Sequence, residues 1–172
     1  RSERRGRIAL IGLRGAGKST LVAALAKGYG VPYIELDREI ERESGTSLSE
    51  VFDRYGQAAY RRYERRALEA VLERYDRAVI ATGGSIVSEP ATFDLLLSAC
   101  FTVWLTATPE EHMARVVAQG DYRPMADNEE AMEDLRRILD GRSALYAKAD
   151  ATVETSGKSV EQSLAELRHA IA

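Results

Sequence analysis

A single cysteine, Cys100, rules out an intrachain disulfide, so packing rather than cross-linking must hold this fold. Its apolar setting reads as a buried small hydrophobe in a reducing compartment. Neither charge is in marked excess: 24 basic and 27 acidic side chains leave a net charge of -3. A global basic field for nucleic acid is thereby excluded. No apolar run reaches the roughly 20 residues of a membrane-spanning helix, and no stretch reads as a signal peptide. The cytoplasm is the expected compartment, with no membrane partner. The two histidines, His112 and His169, lie on amphipathic stretches without cysteine or acidic partners at metal spacing, and both are expected at the surface. Repeats and low-complexity tracts are missing too. What remains is 172 residues, 45% hydrophobic, enough for one domain with one core. The charged opening 1–6, RSERRG, is expected to be the end of a linker, with 7–172 as the domain of a longer protein.

The most informative stretch is Gly12-Leu13-Arg14-Gly15-Ala16-Gly17-Lys18-Ser19-Thr20. It satisfies G-x-x-x-x-G-K-[ST], the P-loop (Walker A) pattern. The apolar run Ile8–Ile11 before it reads as a buried strand. Leu21, Val22, Leu25 and Ala26 after it recur at helical spacing. Strand, glycine loop and helix therefore arrive in the order that aims backbone N–H groups at phosphate oxygens. In that geometry Gly12, Gly15, Ala16, Gly17 and Thr20 cradle phosphates. Lys18 reaches the terminal phosphates, and Ser19 ligates Mg²⁺ with a bound nucleoside triphosphate.

Downstream, Pro32–Leu36 reads as a second strand, with Asp37 at its carboxyl end, where α/β sheets hold ligand groups. A helix over 37–44 stops at Gly45, and Ser47…Glu50 is a capping box opening a short helix to Tyr55. Gly56 breaks it. A long helix from about Gln57 to Tyr75 carries Arg61, Arg62, Arg65 and Arg66, expected mainly as a solvated face paired with Glu64 and Glu69. One arginine could instead anchor a carboxylate, and spacing leaves open which. Ala78–Thr82 is a third strand ending in Gly83-Gly84-Ser85, either a close approach to a ligand or a tight turn. Pro90 opens a helix through Leu97, and Phe101–Leu105 is a fourth strand. Thr108-Pro109-Glu110-Glu111 starts another helix. The polar stretch 121–128 is either a mobile lid with Arg123 over phosphates or a plain connection. A helix from about Asn128 to Ala149, a fifth strand Ala151–Glu154 and a helix capped by Ser159…Gln162 close the chain. This alternation implies a five-stranded parallel sheet with helices on both faces.

These residues resemble the shikimate kinase family along nearly the whole chain. The resemblance implies a P-loop fold of the nucleoside-monophosphate-kinase type. It also implies roles: Asp37 holds the substrate hydroxyls and helps activate the nucleophile, and Glu35 helps hold the Mg²⁺ shell. Arg61 and Arg142 clamp the substrate carboxylate. Gly83, Gly84 and Ser85 form the turn against the ring, and Arg123-Pro124 is the lid. Three positions depart from the family pattern: Ser85 for a glycine, Gln57 for a glutamate and Ala144 for a proline.

The runs IALIGLRGAGKSTL, YRRYERRALE, VSEPATF, ATPEEHM and AQGDYRPMADN are more similar to the C-terminal effector-sensing domain of BzdR/BoxR-type transcriptional regulators. That resemblance implies a sensor for an aromatic acyl-CoA such as benzoyl-CoA, with DNA reached only through a fused helix-turn-helix domain. Coenzyme A carries a pyrophosphate and a 3′-phosphate that a P-loop could hold without transferring anything. The function expected from the sequence is thus an effector-binding domain of an aromatic-catabolism regulator. The alternative is an active kinase moving the γ-phosphoryl group of ATP to shikimate with Mg²⁺.

Overall fold

The computed structural model describes residues 6–12, 18–106, 133, 144–155 and 157–172. Five strands form one parallel sheet in the order β2-β3-β1-β4-β5. They are β1 (Arg7–Ile11), β2 (Tyr33–Glu35), β3 (Ala78–Ala81), β4 (Phe101–Thr106) and β5 (Ala151–Glu154). Central β1 aligns Leu10 with Ala81 on one side and with Val103 on the other. Both faces of the sheet are covered, which is why β1 and β3 are apolar at nearly every position instead of alternating.

The pleat sends neighbouring residues to opposite cores. Ala9, Ile11, Ile34 and Ile80 face α2 (Leu36–Ser44), α4 (Gly56–Arg74) and α5 (Pro90–Ala99). Ile8, Leu10, Val79 and Val103 face α1 (Lys18–Tyr29) and the last helix, α6 (Val160–Ile171). Cys100 is fully buried in the first core, as its apolar setting implies, and His169 is exposed on α6.

Element ends follow local chemistry. The Ser159–Gln162 capping box forms with both reciprocal bonds. At Ser47 the hydroxyl accepts from Glu50 N–H at 3.3 Å, while the Leu48 N–H goes to the Glu41 carboxylate at 3.2 Å. The short helix is one α-turn, α3 (Leu48–Glu50), running into a π-helical turn over Val51–Tyr55. Gly56, at φ +84 and ψ 177, turns the chain into α4, a conformation closed to other residues. β2 is shorter than its sequence run because Leu36 already starts α2, where its fully buried side chain packs into the core. Near the end, 144–146 is helical and 147–150 turns, so the expected helix stops short of Ala149. Asp150 then ties to β4: its carboxylate accepts from Thr102 N–H and Oγ1, and its own N–H donates to the Thr102 carbonyl. The helix start at 108–111, His112 and the lid stretch 121–128 lie outside the described residues.

Candidate active site

The carboxyl ends of β1, β2 and β3 stand side by side, the place where open parallel sheets bind ligands. β1 delivers Gly12 there, and α1 begins six residues later at Lys18. A Cβ on Gly12 would sit 2.8 Å from the Leu105 carbonyl oxygen, so only a bare backbone fits where the phosphate loop leaves the sheet. Gly15, Ala16 and Gly17 lie outside the described residues, as do the side chains of Lys18 and Ser19 and all of Arg123 and Arg142. Thr20 is exposed on the first turn of α1.

β2 and β3 bring the next group together. Asp37 lies on the first turn of α2, immediately beyond β2. Thr82 N–H donates to the Leu10 carbonyl at 3.2 Å and holds the β3 end against β1, which places Gly83. A methyl group built on Gly83 would lie 3.6 Å from Asp37 Oδ1 and 3.9 Å from the Tyr60 hydroxyl. Asp37, Gly83 and α4 therefore meet at one point. Gly84 opens a 3-10 turn over Gly84–Ser88, and the Ser85 side chain lies outside the description. Of Arg61, Arg62, Arg65 and Arg66 on α4, Arg61 is half-buried and the other three are exposed. The Arg61 guanidinium donates to the Ser88 carbonyl at 3.3 Å, so α4 and the turn after β3 share this side chain. Arg65 pairs with Glu69 at 3.6 Å on the solvated face, as the spacing suggested.

Glu64 departs from that pattern. Expected as a surface partner of the arginines, it is instead 1% exposed. Its carboxyl is raised from 4.5 to about 7, first by burial and then by the negative charge of Asp37. Glu89 raises it further, whereas a hydrogen bond from the Tyr60 hydroxyl, at 3.5 Å from Oε2, and the charge of Arg61 lower it. Tyr60 is itself buried and its ring stacks on Phe52 at 4.4 Å between centroids. Sequence reasoning missed Glu64, Tyr60 and Glu89. The signal was there for Glu64: it shares the buried register of Tyr60, Ala67, Leu68 and Val71.

Glu35 offers the described oxygen ligand for a divalent cation. One carboxylate oxygen accepts from the Tyr33 hydroxyl and the other pairs with Arg38 Nε at 3.5 Å. It lines an open cleft of about 510 Å³ at the β2 edge. A carboxylate has about four lone-pair directions, so both oxygens can still accept from a metal-bound water. Mg²⁺ keeps several waters and takes one or two protein oxygens besides phosphates. The donor chemistry at Glu35 fits that cation.

The family model for shikimate kinase matches residues 14–172. A shikimate kinase of Paramagnetospirillum magneticum is 37% identical over 149 residues, covering 87% of this chain and 75% of the relative. One from Parasynechococcus marenigrum is 37% identical over 144 residues, covering 84% and 74%. The solved shikimate kinase of Bacteroides thetaiotaomicron superposes with a TM-score of 0.84 at 29% identity, covering 95% of this chain and 96% of that one. That of Acinetobacter baumannii, in complex with shikimate, gives 0.83 at 28% identity over 96% and 92%. These matches overturn the expected effector-sensing domain and give no support to benzoyl-CoA as its ligand. The resemblance of short runs to the regulator domain misled, and the motifs could not correct it because a phosphate loop with nearby arginines suits coenzyme A as well as ATP. Over nearly its whole length, this chain belongs to the shikimate kinase family.

Proposed function

We propose that this chain is an active shikimate kinase, transferring the γ-phosphoryl group of ATP to the 3-hydroxyl of shikimate. One observation carries the reading: Asp37, Gly83 and Arg61 converge at the carboxyl edge of the sheet, beside the strand that feeds the P-loop. A ring bearing one carboxylate and several hydroxyls suits that group. Arg61 can take the carboxylate in a two-pronged contact, with Arg142 as second clamp. Asp37 accepts the hydrogen bond of the reacting hydroxyl and directs its oxygen. The backbone at Gly83 and Gly84 lets the ring approach closely, and Ser85 contributes to the same turn. Of the three departures from the family pattern, Gln57 and Ala144 are exposed, so neither empties a core contact.

In the transfer, the substrate oxygen forms a bond to the γ-phosphorus as the bridging bond to ADP breaks, and the hydroxyl proton passes to Asp37. The N–H groups from Gly12 through Thr20, with Lys18 and Arg123, neutralise charge on the phosphoryl oxygens. Mg²⁺, which Ser19 and Glu35 would help hold, would supply further charge neutralisation when bound.

Coupled assays of ADP release test this. Release should require both Mg²⁺ and shikimate. Lys18→Met and Asp37→Asn should each lower kcat by on the order of 10²–10⁴ in folded protein. ADP release that shikimate does not accelerate would overturn the proposal.

A further inference from the structure

Glu35 is the N-cap residue of α2, yet its side chain makes no capping bond to the helix. Its carboxylate turns to two other partners: the Tyr33 hydroxyl donates to Oε1, and Arg38 Nε lies 3.5 Å from Oε2. Arg38 also holds a second acid, with Nη1 3.6 Å from Glu41 Oε1. One guanidinium thus stands between two carboxylates, one at the end of β2 and one a helical turn along α2. A cation in the first turn of a helix opposes the dipole, so helix stability does not explain Arg38 there. The Arg38 side chain is 72% exposed, and both Glu35 and Arg38 line the open cleft at the β2 edge. The pair therefore parts into water without leaving a buried charge.

We propose that Arg38 is a positioning residue that acts through Glu35 and weakens its hold on the divalent cation. The inference rests on the kinase reading above, in which Glu35 helps hold Mg²⁺. Tyr33 anchors Oε1, so Oε2 is the oxygen that Arg38 and a metal-bound water share. Its lone pairs suffice for both. The charges conflict, because a guanidinium beside the carboxylate cancels part of the field that draws a dication. As Glu35 turns to the cation site, the Arg38 guanidinium swings towards Glu41, which is already within reach. The Glu35 pair re-forms once the metal nucleotide has left. Arg38 therefore sets a ceiling on cation affinity and favours release of the metal with product.

Calorimetric titration of ADP into the full chain, with and without Mg²⁺, tests this. Low ionic strength is used, because exposed ion pairs act most strongly there. The ratio of the two affinities reports how tightly the ADP-loaded chain binds the cation, relative to free ADP. Arg38→Gln should raise that ratio about two- to fivefold, the span of an exposed ion pair. Arg38→Lys keeps the charge and should stay near the parental ratio. Glu35→Gln should lower the ratio. Adding Arg38→Gln to that variant should then change little, because the carboxylate through which Arg38 acts is gone. An unchanged ratio in Arg38→Gln, or an equal rise in Arg38→Lys, would overturn the inference and leave the kinase reading intact. So would an equal rise in the Glu35→Gln background, which would show a general field in place of competition for Glu35. A ratio that Glu35→Gln leaves unchanged would overturn the inference together with the role of Glu35 in that reading. No binding heat with or without Mg²⁺ would overturn the inference and the kinase reading alike.

Discussion

Glu64 leaves a mark on stability that needs no ligand. Its carboxyl is raised from 4.5 in the unfolded chain to about 7 in the fold, so between those values the folded state binds the extra proton. Stability contributed by the neutral form is complete below about 4.5 and is lost as pH rises to about 7, a swing of about 3 kcal/mol. Glu64→Gln, neutral at every pH, should therefore be more stable than the parent in urea titrations at about pH 8, by up to this amount. The gap should close near pH 4.5. Arg61 yields a contrasting forecast. Its planar fork reaches the Ser88 carbonyl and is proposed to grip a carboxylate as well. Arg61→Lys should keep the charge but lose that geometry, raising KM for shikimate by roughly tenfold or more at nearly unchanged thermal stability.

At the scale of elements, the ends of β1 do different work. Arg7, at its start, donates to the Tyr75 carbonyl at 2.7 Å and the Leu72 carbonyl at 2.9 Å at the end of α4. It also reaches the Ala99 carbonyl at the end of α5 at 3.5 Å. One guanidinium thus satisfies carbonyls that two helix ends leave unpaired, from the side their dipoles favour. Arg7→Met keeps much of the apolar stem and removes those donors. It should cost about 1–3 kcal/mol in chemical denaturation, with activity otherwise retained. Gly12, at the other end, touches the Leu105 carbonyl backbone to backbone, so neither side can yield easily. Gly12→Ala should destabilise by about 1–3 kcal/mol and also weaken ATP binding, because β4 and the loop exit must part.

For the molecule as a whole, both cores rest on the same five strands, and neither helical layer has a sheet of its own. Cooperative unfolding follows. Trp104, the single tryptophan, lies on β4 and stacks on Tyr146 at 5.2 Å, so its emission reports the β4–β5 side. Its urea transition should coincide with the loss of helical circular dichroism. A tryptophan transition at lower urea would show that this side melts by itself.

Much of this was legible residue by residue. The apolar runs of β1, β3 and β4, the stop at Gly45 and the Ser159–Gln162 cap depend on local chemistry, and local chemistry is what a sequence displays. The glycine loop likewise announced a phosphate, and Asp37 was placed by its position after β2. The same motifs admitted two functions, because a loop that fits phosphate does not say whether the phosphate is transferred. Likeness along nearly the whole chain places it in the shikimate kinase family. Other features depended on what packs across from them. Glu64 has the composition of a surface residue and became buried only when α2 and the β3 turn closed over α4. Arg61 could be singled out from three neighbouring arginines only after the Ser88 carbonyl came within reach. The sequence by itself determined the elements, their order and the phosphate loop, since each follows from neighbours a few residues apart. The tertiary structure alone decided which charges share the pocket, because Asp37, Glu64 and Glu89 come from separate elements and feel one another's fields only across space.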